Sequence, residues 1–272
     1  MSKHLQQKNI HLILKNNEKI REERIREEER IREAARIRMY NKKIIIFGFP
    51  HCGTSILRCI IGHIDNVYEI VDETDKIDDN NIDYINYNFV LCKWPFLINE
   101  NKLITEYYDY IKIFIIRNPL YVFSSLNKRS KYEKLDDSHS IDKYIDTIKQ
   151  FNNFKNTKNI NKLFLIKYED MFEYNYKNLK YIFDEIGFNY NDDIFDNLKY
   201  INKVQFQNNL TIPETLPHLY NDNAEYRLFQ INQKFENNND NNKIDLTKEQ
   251  YQVLTTDINI LQEYPENELF II

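Results

Sequence analysis

Two kinds of segment alternate along this chain. Four short, nearly continuous apolar runs stand out: KKIIIFGF (42–49), NFVLCKW (88–94), IKIFIIR (111–117) and KLFLIKY (162–168). Short apolar runs rich in β-branched residues fit strands buried on both faces of a parallel sheet. Between and after them lie helical patterns, at 54–64, 99–109, 119–128, 141–154, 174–187 and 247–263. Strands alternating with helices predict an α/β domain with a central, mainly parallel sheet. The stretch 189–245 is rich in Asn and Asp, and NNNDNN (237–242) reads as a surface loop. No second core and no internal repeat are visible beyond one short charged segment.

That segment is EKIREERIREEERIREAARIRM (18–39), almost pure helix former, with Glu→Arg pairs at i,i+4 such as Glu22–Arg26 and Glu28–Arg32. Its isoleucines fall at 20, 25, 31 and 37. A coiled-coil seam needs spacings of three and four, so the first reading is a charged, solvated spacer or arm. Oligomerisation or partner binding through this helix is the alternative. The composition changes at Lys42, so the expected division is a charged helical arm over 1–41 and one α/β domain over 42–272.

Lys and Arg number 37 against 42 Asp and Glu, so the formal charge is 37 − 42 = −5. That mild acidity argues against a general nucleic-acid binder. With 42% hydrophobic residues, a sizeable core is expected. Three cysteines, Cys52, Cys59 and Cys92, form neither a disulfide framework nor a zinc spacing, which points to a reducing compartment and no metal site. The N-terminal apolar cluster (Ile10, Leu12, Ile13, Leu14) is too short for a signal peptide. No stretch reaches the roughly 18 apolar residues of a membrane span. A soluble, cytoplasmic protein is expected.

The first strand runs into Gly48-Phe49-Pro50-His51-Cys52-Gly53-Thr54-Ser55 and then into a helix. A strand, a glycine-bounded loop and a helix make the geometry that cradles phosphates, with backbone N–H groups turned inward and the helix N-terminus adding positive potential. The spacing is that of G-x-x-x-x-G-K-[ST], with Thr54 at the Lys position. A nucleotide kinase or NTPase uses that Lys on the β- and γ-phosphates, so its absence weakens that reading.

The loop resembles the 5′-phosphosulfate loop of sulfotransferases that use 3′-phosphoadenosine 5′-phosphosulfate (PAPS), which typically read P-[KR]-S-G-T-[TS]. Pro50, Gly53, Thr54 and Ser55 match, while His51 replaces Lys or Arg and Cys52 replaces Ser. A second segment is similar to the family's 3′-phosphate site: Arg117-Asn118-Pro119 at a strand end, with Ser125 eight residues after Arg117. The guanidinium fork suits a phosphate dianion, and strand ends are where α/β folds bind ligands. A third, LIKYEDM (165–171), is similar to the family's strand-YED segment, and Tyr168, Glu169 and Asp170 are read as structural. The resemblance spans about 42–190. It implies a three-layer P-loop-like fold, PAPS as donor, adenosine 3′,5′-bisphosphate (PAP) as product and a hydroxyl acceptor.

The resemblance also places the chemistry. Lys93, in Lys-x-Pro-Phe as in tyrosylprotein sulfotransferases, is the expected cationic donor, with His51 facing the sulfuryl group if neighbouring anions hold it protonated. The His base of the cytosolic branch is missing, since Trp94 and Pro95 occupy its place. Asp72-Glu73-Thr74 stands near the Glu-Glu-Thr of the tyrosylprotein branch, so Glu73 is the base candidate and Asp72 the next. A solvated acidic loop is the other reading of that run. Arg227 is a candidate cation for the 3′-phosphate. His139 reads as a solvent-exposed loop residue or a lining of the acceptor site. Cys52 sits at a helix N-terminus, which should lower its thiol pKa, with loop shape as its main role. Two other functions stay open: a nucleotide kinase or NTPase with a degenerate loop, and a catalytically inactive binding or scaffold protein on the same fold.

Overall fold

The computed structural model describes residues 19–30, 42–131, 134–157, 159–196, 235–239 and 243–269. The chain divides into two compact units, one of 1–41 with 78–88, the other of 42–77 with 89–272. In the first, residues 19–30 form a helix (α1) whose side chains are exposed. Its ion pairs are Lys19–Glu23, Arg26–Glu22 and Arg30–Glu27, at 4.0, 3.5 and 3.1 Å. Such exposed pairs contribute little each. A 3₁₀ turn over Ile82–Asn86 is capped by the Asn81 side chain. The isoleucines at 31 and 37 and the Glu28–Arg32 pair extend outside the described residues.

The second unit runs β1 (Lys42–Gly48), α2 (Thr54–Gly62), β2 (Val67–Glu73), β3 (Phe89–Trp94), α3 (Glu100–Thr105), β4 (Ile111–Ile116), α4 (Pro119–Ser130), α5 (Ile141–Asn156), β5 (Leu163–Lys167), α6 (Lys177–Ile186), α7 (Lys248–Thr256), α8 (Ile258–Glu263) and α9 (Glu266–Leu269). The strands form one sheet in the order β2-β3-β1-β4-β5, every pairing parallel. The apolar runs thus became strands for the reason their pattern gave, and β1 and β4 are buried almost throughout.

Strand alternation sends successive side chains to opposite layers. On one face Ile44, Ile46, Leu91, Ile113 and Ile115 meet Ile56, Leu57 and Ile60 of α2 and Leu179, Ile182 and Phe183 of α6 in a single core. On the other, Phe47 stacks on Phe114 at 4.7 Å, and Phe114 meets Phe151 and Phe154 of α5. Helices cover both faces, so the fold is a three-layer α/β sandwich. No helix among the described residues is long and apolar enough to cross a membrane.

Three differences from the sequence pattern have a physical cause in the structure. The edge strand β2 has no counterpart among the apolar runs, and only its last two residues fall in the acidic run that begins at Asp72. Its Glu69 faces Arg58 of α2 at 2.7 Å, so a charged pair occupies an inner position that an apolar residue would have marked. The helix expected from 174 starts at Lys177, because Tyr174, Asn175 and Tyr176 are left-handed (φ 46°, 57° and 61°). The pattern at 247–263 is two helices: Asp257 ends α7 and caps α8, its carboxylate accepting from Asn259 and Ile260 N–H.

Candidate functional site

In an all-parallel sheet every strand ends on the same edge, and the chain reverses its direction of travel across the sheet around β1. The ends of β1, β2, β3, β4 and β5 therefore deliver the loop 48–55, Glu73, Lys93, Arg117 and Tyr168 to one side of the molecule.

The loop is shaped by one glycine. Gly53 has φ 96°, caps α2, and passes so close to Tyr168 that a Cβ there would lie 2.9 Å from ring Cε2 and nearer still to Cδ2. His51, two residues earlier, is also left-handed at φ 66°. Pro50, Cys52 and Thr54 are buried and pack the loop from beneath, while His51, Gly53 and Ser55 stay partly accessible.

Two polar clusters meet at this loop. In the first, Lys93 is buried and donates from Nζ to Glu73 Oε1 at 2.6 Å and to Ser55 Oγ at 2.9 Å. Sheet register places Glu73 directly beside Lys93. Burial lowers the Lys93 pKa, and the Glu73 carboxylate opposes that shift. Glu73 itself is partly exposed, its side chain at 40%. It is therefore a strand-end carboxylate held by a lysine and still open to solvent, in a strand rather than in the loop the acidic run suggested. Asp72 lies in the same strand.

The second cluster centres on Arg117. Its Nε and Nη2 donate to Asn239 Oδ1 at 2.9 and 2.6 Å, and Nη1 donates to the His51 carbonyl at 3.3 Å. The guanidinium lies 4.2 Å from the centre of the Tyr168 ring. Asn239 Nδ2 donates to Glu169 Oε1 at 2.7 Å, and that oxygen also accepts from Asn118 N–H at 3.0 Å. Burial raises the Glu169 pKa against these bonds. Tyr168 Oη donates to the Glu236 carbonyl and accepts from Asn238 N–H, so the YED segment fixes the loops around Arg117.

Ser125, on α4, joins the clusters: its Oγ lies 2.7 Å from His51 Nδ1. On the far side of the ring, Arg129 Nη1 is 3.3 Å from His51 Nε2. Burial, helped by the positive charges of Arg129 and Arg117, pushes the His51 pKa down to about 3. Among these cations the ring is therefore held towards its neutral form, and a protonated, sulfate-facing His51 would need the bound anions to offset them.

Two further expectations change. The Cys52 thiol is pushed up rather than down, since burial outweighs the positive potential near the helix end. This fits a loop-shape role. His139 is not solvent-exposed: its side chain is 12% accessible, its Nδ1 is 2.9 Å from Asp136 Oδ1, and its ring meets Phe96 edge-on. Arg227 lies outside the described residues. Asn239 and Arg129 escaped the sequence reading. Asn239 sits in a polar run with no motif, whereas Arg129 carried a usable signal, being four residues after Ser125 on the same helix face.

No family profile matches the sequence, and no curated protein sequence matches it. Among solved structures, the chain is similar to the sulfotransferase domain from the curacin biosynthetic pathway. The two are 11% identical, with a TM-score of 0.43, over 57% of this chain and 77% of that one. It is also similar to the mouse sulfotransferase SULT7A1 complexed with PAP, at 19% identity and a TM-score of 0.39, over 58% of this chain and 64% of that one.

Proposed function

We propose that this protein is a transferase that moves a sulfuryl group from PAPS to a hydroxyl acceptor. The observation that carries the reading is the junction of two donor clusters at one phosphate-type loop: Lys93 bonds Ser55, and Ser125 bonds His51. The donor set fits a nucleotide with two separate anionic groups, since Lys93, Arg117 and Arg129 are cations and Ser55 and Ser125 are hydroxyls. Arg117 and Ser125 would hold the 3′-phosphate, and residues 50–55 the 5′-phosphosulfate.

In this reading Glu73 takes the proton as the acceptor O–H bond breaks and the new O–S bond forms. The S–O bond to the 5′-phosphate breaks, its electron pair stays on the phosphate oxygen, and Lys93 stabilises the charge that gathers there. The products are the sulfate ester, PAP and one proton. The aromatic side chains Trp94 and Phe96, 5.2 Å apart just beyond Lys93, would offer an apolar wall to the acceptor.

A second reading has one observation in its favour: the Arg117 fork is already filled by an amide oxygen, that of Asn239. A catalytically inactive protein on this fold, with Asn239 left on Arg117, would keep that arrangement. Titration of wild-type and Arg117→Ala protein with PAP tests the site, and release of labelled sulfuryl groups from PAPS separates the two readings. Unchanged PAP affinity in Arg117→Ala protein rejects the phosphate-site assignment.

A further inference from the structure

In this loop pattern, the residue after the proline is expected to be a fixed cation, and here it is His51. The hydrogen-bond chemistry around the ring determines its state. A guanidinium only donates, so the contact between Arg129 Nη1 and His51 Nε2 requires Nε2 to accept. The ring proton then sits on Nδ1 and is donated to Ser125 Oγ. Ser125, accepting from His51, keeps its own hydrogen for an anionic oxygen. His51 is thus a neutral imidazole clamped between two residues four apart on one face of α4.

The permanent positive charge in contact with that loop side chain belongs to Arg129. The helix that carries it, α4, is well anchored through its first two turns. Leu120, Val122, Phe123 and Leu126 are buried, and Ser124 Oγ donates to the Lys243 carbonyl and accepts from Asp245 N–H. An arginine held this way offers a planar, always-charged donor fork, which a histidine in its place cannot.

We propose that Arg129 is the fixed cation of this phosphate loop, binding the 5′-phosphate side of the nucleotide, with His51 as the positioning residue that holds Arg129 and Ser125 together. The proposal rests on the reading that the loop binds PAPS, and it moves the loop's cation from the strand–helix turn to the neighbouring helix. No change in the transfer chemistry is required, because only the source of the stabilising charge differs.

The test is calorimetric titration with PAP, 5′-AMP and 3′-AMP of wild-type, Arg129→Gln and Arg129→Lys proteins, each checked by circular dichroism for native folding. Loss of a charge-assisted phosphate contact weakens PAP and 5′-AMP binding by about tenfold to a hundredfold in Arg129→Gln. Binding of 3′-AMP stays near the wild-type value, and Arg129→Lys falls between. Adding His51→Lys to Arg129→Gln returns a cation to the loop and recovers part of the lost affinity. Nitrogen-15 NMR of the wild type with PAP bound shows His51 as the neutral Nδ1–H tautomer at pH 7. Unchanged PAP affinity in folded Arg129→Gln protein, a parallel loss for 3′-AMP, or an imidazolium signature for His51 in the complex would overturn the proposal. Wild-type protein that binds no PAP overturns the cofactor reading itself, and the proposal with it.

Discussion

Gly53→Ala tests how the loop is built. Gly53 holds φ 96°, a conformation that costs an L-residue about 1–3 kcal/mol. The new methyl would also press on the Tyr168 ring, 2.9 Å from Cε2 and closer to Cδ2. Tyr168 has little room to yield: it is 1% exposed, its hydroxyl is bonded to residues 236 and 238, and Arg117 lies over its ring. Overpacking of this kind adds roughly 1–3 kcal/mol. The combined cost is about 2–6 kcal/mol, a large share of the roughly 5–15 kcal/mol that holds an ordinary domain folded. In a domain of this size that is a fall in melting temperature of about 5–20 °C. Scanning calorimetry of Gly53→Ala beside Gly187→Ala isolates the clash. Gly187 shares the left-handed backbone at φ 85°, yet a Cβ there would meet only the Lys42 Nζ atom at 3.6 Å. Equal melting shifts for the two variants, or wild-type stability for Gly53→Ala, would refute the claim that Tyr168 and Gly53 shape the loop together.

Three more outcomes are expected. Glu73→Gln keeps an acceptor for Lys93 but removes the base, so sulfuryl release from labelled PAPS slows by about 10²–10⁴-fold while PAP affinity holds; unchanged turnover would reject Glu73 as the base. His51 is held down to about 3 from the ordinary 6.5, so the unfolded chain takes up this proton first as the medium becomes acidic. The His51 contribution is therefore whole above about pH 6.5 and shrinks as pH falls towards 3, and urea titrations of wild-type against His51→Gln protein should show a stability difference that changes over that window. A difference independent of pH would contradict the lowered His51 pKa. Burial raises the pKa of Cys52, Cys59 and Cys92 alike, so a thiol reagent at pH 7 should modify native protein far more slowly than unfolded protein; fast labelling of the native state would contradict the buried loop thiol.

The sequence made the frame of this fold legible where burial is two-sided. β1, β3 and β4 are continuous apolar runs because helices cover both faces of the sheet there, while the edge strand β5 keeps the apolar run although only Ile166 of it is fully buried. β2 escaped because Glu69, at an inner position, is balanced by Arg58 from α2, an arrangement no periodicity reveals. The site followed the same division. Residues in local spacing, such as the loop 50–55 and Arg117 with Ser125, were nameable as candidates from the sequence, and sheet register brought Lys93 and Glu73 together at neighbouring strand ends. Asn239 was invisible because its partner Arg117 is 122 positions away in the chain. The sequence placed His51 in the loop, but the direction of its pKa shift was not readable, since that depends on Arg129 and on packing that only the assembled loop creates.

The most direct measurement is calorimetric titration of the full chain with PAP in the absence of divalent metal, repeated with ATP and Mg²⁺. The account predicts micromolar binding of PAP that needs no metal and is abolished or strongly weakened in Arg117→Ala protein. Binding of ATP–Mg²⁺ with none of PAP would contradict it and assign the loop to a nucleotide kinase or NTPase.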